Sequence, residues 1–333
     1  MRIAIHHKEE GYSKQWITYC KKNNIEYKIV NAYDSNIIDQ LRDCDAFMWH
    51  HTHGDYRDVL FAKQLIFSLE TAGIKCFPNF YTTWHFDDKV GQKYLLEAIG
   101  APLVPSYVFY TKKEALSWVN KTSFPKVFKL RGGAASTNVM LAKTPFEAKR
   151  LVRKAFGRGF PQFNRIGFFF ERWTKWKDGK ESFNSVIKGI VRLFVGSEFG
   201  KMRPREKGYV YFQDFIPNNK FDIRVVVVNG KIWAEKRMVR KGDFRASGSG
   251  KFVYEKIDET ILKIAFDTAE KLKLQSVAFD FILDGNKPLI VEMSYGFGTK
   301  GIGHSPGYYD KKFEFHQTED MDFLGDMVQC VIE

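Results

Sequence analysis

The sequence predicts an α/β protein made of α+β lobes, and three observations predict it. Residues 2–49 alternate short apolar runs with amphipathic stretches, the rhythm of a small parallel sheet covered by helices. Asn229-Gly230 joins two strand-like runs and is the strongest two-residue hairpin signal in the chain. Asp284-Gly285-Asn286 closes a second hairpin, so the later part reads as antiparallel sheet. A length of 333 residues suits two or three packed lobes better than one core.

Taken in order, Arg2–Ile5, Glu26–Val30 and Ala46–Trp49 read as strands, with helices over Ser13–Lys22 and Ile37–Arg42. Open parallel sheets bind ligands beyond the carboxyl ends of their strands. There the loop after the third strand carries His50, His51 and His53, read either as a grip on an acidic substrate or a metal, or as an exposed polar loop. Residues 54–80 read as a helix and then a strand, ending at Phe77-Pro78-Asn79. Phe86-Asp87-Asp88-Lys89 leads into a helix over Val90–Ile99, which Gly100-Ala101-Pro102 stops. Strands over Ser106–Tyr110 and Lys126–Leu130 bracket a helix at Lys113–Lys121. The glycine-rich turn Arg131–Asn138 then leads to a strand at Val139–Leu141. Glycine lets backbone N–H groups come close to phosphates, so this turn is a candidate flap, although its spacing is neither Walker nor Rossmann.

Residues 157–208 break the rhythm with a basic, aromatic insertion. It is either a solvated subdomain or a cap over a bulky anionic substrate. Order returns with strands Tyr209–Phe212, Asp222–Val228 and Lys231–Met238, a helix over Thr260–Lys271, and the hairpin Ser276–Leu283 with Pro288–Met293. The expected domains are therefore 1–80, 81–156, 157–208 and 209–333.

Composition narrows the partners. Lys and Arg number 52 against 39 Asp and Glu, a net charge of +13 that attracts anions. No zinc-finger, basic-zipper or RNP pattern is present, so nucleic acid is not the expected partner. No apolar run approaches the roughly 20 residues of a membrane helix. The chain opens on a strand rather than a basic and apolar leader, and its four cysteines have no metal-ligand spacing. A reducing, cytoplasmic setting is expected. The 31 Phe are expected mainly in the core.

The closing hairpin carries the chemistry. Asp280 lies mid-strand in Val277-Ala278-Phe279-Asp280-Phe281, and Glu292 near the end of Ile290-Val291-Glu292-Met293-Ser294. Paired strands lie about 4.8 Å apart, so the two carboxylates are able to converge on one face. Among apolar neighbours they are tolerable with a cation between them, for which oxygen ligands with room for phosphate oxygens favour Mg²⁺; the alternative is an ordinary half-exposed hairpin.

These residues resemble the ATP-grasp superfamily, closest to the RimK-type and glutathione synthetase-like carboxylate–amine ligases. The resemblance covers about residues 80–156 and 209–298, preceded by a small parallel α/β (pre-ATP-grasp) domain. It implies that Lys89, in Phe86-Asp87-Asp88-Lys89, contacts nucleotide phosphates, and that Lys129, ending Phe124-Pro125-Lys126-Val127-Phe128-Lys129, holds the α- and β-phosphates. Gln213-Asp214-Phe215-Ile216 is similar to the inter-lobe hinge, where the backbone at Asp214 and Ile216 pairs with adenine. Asp222-Ile223-Arg224 and Lys241-Gly242-Asp243-Phe244-Arg245 look RimK-like, implying Asp222 for the ribose, Arg245 for the phosphates and Arg237 near the transferring phosphoryl group. Asp280, Glu292 and Ser294 fall on the metal ligands, for one or two Mg²⁺. Ser294 stands where the family usually has Asn, which bears on the second metal, and Ala246-Ser247 replaces a common Ser-Asn.

The resemblance implies a ligase. A substrate carboxylate attacks the γ-phosphate of ATP, and an amine then attacks the acyl phosphate to give an amide, ADP and phosphate. No Ser-His-Asp or Cys-His signature argues for a covalent protein nucleophile. The expected substrates are a small carboxylate and an amine, anionic in keeping with the charge, such as an acidic sugar or amino-acid metabolite. His50, His51, His53 and the insertion are the expected seat of specificity, and the chain acts alone or as a homodimer. A small-molecule kinase and a non-catalytic nucleotide- or polyanion-binding protein are the competing readings.

Overall fold

The computed structural model describes residues 1–133, 138–162, 172–173, 176–177, 182–194, 202, 204–240 and 249–333. Among them the first lobe is a parallel sheet of β1 (Arg2–His6), β2 (Glu26–Val30), β3 (Ala46–Met48) and β4 (Lys75–Phe77), in the order β2-β1-β3-β4. Helices α1 (Ser13–Lys22), α2 (Ile37–Gln40) and α3 (Tyr56–Thr71) connect the strands. Ala4, Phe47 and Trp49 pack on Ala62, Ile66 and Leu69 of α3. Ile3, Ile5 and Met48, one residue out of phase on the same strands, pack on Trp16 and Cys20 of α1. Both faces are thus buried, as a parallel sheet requires. Asn79 caps the short α4 (Phe80–Thr83), and Asp88 caps α5 (Lys89–Ala98) by accepting from Gly91 N–H at 2.9 Å.

The second lobe is an antiparallel sheet in the order β5-β8-β6-β7, made of β5 (Ser106–Phe109), β6 (Lys126–Lys129), β7 (Val139–Ala142) and β8 (Val210–Asp214). Its core side packs on α6 (Lys112–Val119) and α7 (Pro145–Ala155). The sequence reading left α7 unassigned, although Thr144-Pro145-Phe146-Glu147 carries its start signal. Thr144 accepts from Glu147 N–H, Pro145 occupies the first turn, and the Glu147 carboxylate reaches back to Lys143 N–H. In the insertion, α8 spans Phe183–Phe194.

The third sheet runs β13-β12-β9-β10-β14-β15, with β11 also on β10. Its strands are β9 (Phe221–Val228), β10 (Lys231–Met238), β11 (Phe252–Val253), β12 (Ser276–Asp284), β13 (Lys287–Ser294), β14 (Gly307–Tyr309) and β15 (Phe315–Gln317). Asn229 and Gly230 both have positive φ, the hairpin geometry their dipeptide predicts. Alternation along β9 gives the sheet two different faces. Ile223, Val225 and Val227 face α9 (Glu259–Lys271), whose Ile261, Leu262 and Ala265 complete one core. Asp222, Arg224, Val226 and Val228 face the other way. Of these, Val226 and Val228 join Trp233 and Ala278 in the same core as Ile3, Trp16 and Phe77 of the first lobe. The short α10 (Thr299–Ile302) and the terminal α11 (Phe323–Ile332) follow. Met327, Val328 and Val331 of α11 close that shared core beside α1.

Candidate active site

The register of the third sheet builds the site. Asp280 pairs with Glu292 on β13 and with Arg224 on β9, and Arg224 pairs with Glu235 on β10. One row therefore carries Glu235, Arg224, Asp280 and Glu292 in order across four strands. A bulge directly beyond Asp280 leaves Val291 without a register partner, and pairing resumes at Phe281 with Ile290. Arg237 pairs with Asp222 one row further out.

The row is tightly bonded. Arg224 donates to Asp280 through Nε (2.8 Å) and Nη2 (3.0 Å), while Arg237 reaches the same carboxylate at 2.7 Å. Arg237 also makes a bidentate pair with Asp222 at 2.6 and 2.6 Å. Burial works to raise the Asp280 carboxyl, but Arg224 and Arg237 outweigh it and hold it at about 2. Asp280 and Glu292 do oppose each other, but the expectation of apolar surroundings needs correction. Two guanidinium groups already supply charge balance to Asp280. Sequence reasoning gave Arg224 and Glu235 no role. The period of two along Asp222-Ile223-Arg224 and Glu235-Lys236-Arg237 was the available signal, because it puts all four charges on one face.

Two lysines approach from other elements. Gln92 ties α5 to β13 by donating to Met293 carbonyl at 2.8 Å. That anchor brings Lys89, one turn earlier, within 4.0 Å of Glu292. Lys89 Nζ donates to Gly133 carbonyl at 2.8 Å, and Asp87 accepts from Gly133 N–H at 2.6 Å, clamping the start of the glycine-rich turn to α5. Lys129, at the end of β6, is 4% exposed, and burial pushes its ammonium down to about 8, with Glu292 opposing and Lys89 adding to the shift. The rest of the proposed flap, residues 134–137, lies outside the described residues, as do the segment 241–248, including Arg245 and Ser247, and much of 157–208.

Between the second and third sheets lies an open cleft. Val127, Val139, Phe215, Ile216, Ile282 and Val291 give it an apolar portion, while Lys129, Arg237, Asp222, Asp280 and Glu292 give it a charged one. Gln213 and Asp214 also line it but belong to β8, so the expected hinge begins two residues later than its motif. Gln213 donates to Ser106 Oγ at 3.1 Å, and the Asp214 carboxylate pairs with Lys126 at 2.5 Å. Asp214 N–H is taken by Pro105 carbonyl. Ser294 shares the face of Glu292, and its hydroxyl donates to Gly296 carbonyl at 3.0 Å.

The donor set of the facing pair is all oxygen, which suits a hard divalent cation. Glu292 keeps 40% of its side chain exposed and is not within hydrogen-bond distance of Lys89, so its carboxylate is open to a ligand. The pair fits a metal. The cleft suits a nucleotide in its division between apolar and charged walls.

A second chamber is lined by His51, Thr52, His53, Lys63, Arg131 and Gly132, with Asp58, Asp87, Asp88 and Glu206. The expected histidine trio divides here. His50 stacks on Tyr12 with ring centroids 3.7 Å apart and accepts Tyr12 N–H, and burial pushes it down to about 3. His51 is buried against Thr83 and is likewise held neutral by burial. The acids on the walls have protein partners. Asp58 is paired with Lys8 at 2.9 Å, and Glu206 accepts from Tyr209 at 2.7 Å.

No helix among the described residues is long and apolar enough to cross a membrane. No curated protein matches the sequence. The RimK-like ATP-grasp domain family matches residues 204–308. Among solved structures, a RimK domain ATP-grasp protein from Sphaerobacter thermophilus superposes with a TM-score of 0.59 at 14% identity, covering 100% of both chains. D-alanine–D-alanine ligase from Bacillus anthracis, solved with ATP, gives 0.53 at 15% identity over 90% of this chain and 88% of its own. The ATP-grasp ligase PsnB, solved with precursor peptide PsnA2 and AMPPNP, gives 0.55 at 10% identity over 99% and 97%. The described residues have the ATP-grasp fold, and residues 204–308 match the RimK-like ATP-grasp domain family.

Proposed function

We propose that the chain is an ATP-dependent carboxylate–amine ligase that forms an amide through an acyl phosphate. One observation carries the reading. Buried Lys129 from the second sheet and the cross-strand pair Asp280–Glu292 from the third line the same cleft, with Lys89 4.0 Å from Glu292. The apolar portion, with Phe215 and Ile216, receives the base, and Asp222 lies towards the ribose. Lys129 and Lys89 hold phosphate oxygens, and Asp280 and Glu292 hold Mg²⁺. Ser294 lies two residues from Glu292 on the same face and completes the oxygen set directly or through water. When bound, the divalent cation lowers the repulsion between the phosphates and an attacking carboxylate. Arg237, anchored by Asp222 and Asp280, presents fixed positive charge at the same place, and Arg245 is assigned with it from the family resemblance alone. Such preorganised charge is the main catalytic contribution in phosphoryl transfer.

The chamber beside His53 and Arg131 receives the acid. Its walls include Asp87 and Asp88, which directly precede Lys89 in the chain, so it adjoins the phosphate end. Arg131 and Lys63 are the cations that would meet its carboxylate, beside four wall carboxylates with protein partners, and the proposed acid is an acidic sugar or amino-acid metabolite. The test is ATP consumption against mixtures of acids and amines, with mass spectrometry of the product. Amide formation that needs both partners and is lost by at least 100-fold in Glu292→Gln is expected. A phosphorylated alcohol without amide, or full turnover in Glu292→Gln, overturns the reading.

A further inference from the structure

Arg224 is flanked by two carboxylates and bonds one. Its register partners are Asp280 on β12 and Glu235 on β10, and both guanidinium hydrogen bonds go to Asp280. Glu235 is 4% exposed, and its Oε2 has no hydrogen-bond partner. A buried carboxylate oxygen left without a donor is costly and rare. Its place is nonetheless enforced from above by α10, since a methyl group on Gly301 would fall 2.2 Å from Oε2. The other guanidinium differs. Arg237 bonds both Asp280 and Asp222, so it keeps a bidentate partner when Asp280 is taken away.

We propose that Arg224 is a two-position switch, holding Asp280 before metal binds and turning to Glu235 when Asp280 takes up the divalent cation. This rests on the metal reading of Asp280 and Glu292. A cation at Asp280 repels a guanidinium bonded to the same carboxylate, and the two compete for the same oxygen lone pairs. Without Glu235, the displaced Arg224 is a buried charge with no partner, which opposes metal binding. With Glu235 at the same register on the neighbouring strand, the displaced charge has a receiver, and the orphaned oxygen gains its donor. Glu235 is thus a positioning residue: it acts on the metal through Arg224.

The test uses the full chain with AMPPNP and Mn²⁺, following free Mn²⁺ by electron paramagnetic resonance. Glu235→Gln is expected to weaken Mn²⁺ binding about tenfold while AMPPNP affinity in EDTA stays within twofold. Asp280→Asn is expected to lose at least 100-fold in Mn²⁺ affinity. Unchanged Mn²⁺ affinity in Glu235→Gln beside a defective Asp280→Asn overturns the switch and leaves the metal reading standing. Unchanged affinity in Asp280→Asn overturns both. A crystal structure of the wild-type Mn²⁺–AMPPNP complex decides the matter without any variant. Arg224 within hydrogen-bond distance of Glu235 supports the switch, and Arg224 still bidentate on Asp280 overturns it.

Discussion

Lys129 shows how burial tunes a single side chain for a charged ligand. Burial holds its ammonium at about 8 rather than the usual value above 10. The charged form attracts phosphate, so the free protein loses that attraction as pH rises through 8. Nucleotide affinity should therefore fall above pH 8, approaching tenfold per pH unit, when AMPPNP binding is measured by calorimetry from pH 7 to 9.5. Lys129→Arg keeps its charge over that range and should flatten the fall. Lys129→Met should bind weakly at every pH. A wild-type affinity that does not change up to pH 9.5 contradicts the assignment of Lys129 to the phosphates.

At the scale of elements, two glycines serve different ends. Gly230 has φ +75 at the β9–β10 turn, and the nearest obstacle to a side chain there is the flexible end of Lys311. Gly230→Ala should cost about 1 kcal/mol, the price of a left-handed backbone alone. Gly301 has no unusual φ, but a methyl group would meet the buried Glu235 carboxylate at 2.2–2.7 Å. Gly301→Ala should cost about 2–3 kcal/mol through overpacking. Urea unfolding of the two variants measures both, and equal losses contradict the tight seat of α10 on Glu235. Much at this scale was legible in the sequence. Ser13–Lys22 and Lys231–Met238 are the helix and strand that periodicity predicted, and Asn229-Gly230 is the predicted turn. The opposition of Asp280 and Glu292 was legible too, because hairpin pairing follows from a short turn. The binding of Arg224 to Asp280 rather than to Glu235 was not. It depends on β12 lying beside β9, a pairing between segments some 50 residues apart that local pattern does not specify. His50 was misjudged for a similar reason, since its stacking partner Tyr12 comes from a distant loop.

The molecule as a whole is held by the core that the first lobe and the third sheet share. Met327 and Val331 of the last helix lie in it with Trp16, Val226 and Ala278. Met327→Ala should destabilise the protein by about 2–4 kcal/mol, as for other buried methionines. Because the core is common, the first lobe and the third sheet should melt together, and calorimetry should show the shift in one shared transition. A first lobe that melts separately while the third sheet stays folded contradicts a common core.

That common core also decides which part of the protein moves. The parallel-sheet lobe and the charged row are welded into one anvil, whereas the sheet carrying Lys129 joins it through the strand-free stretches at 99–105 and 215–220, with Leu103 and Val104 bridging to Ile290. On the proposed ligase reading, nucleotide should leave by a swing of that smaller jaw, pivoting where those two passages touch the β13 edge. The second chamber draws its walls from both parts, so on that reading the same stroke opens it, and ADP and product should leave together.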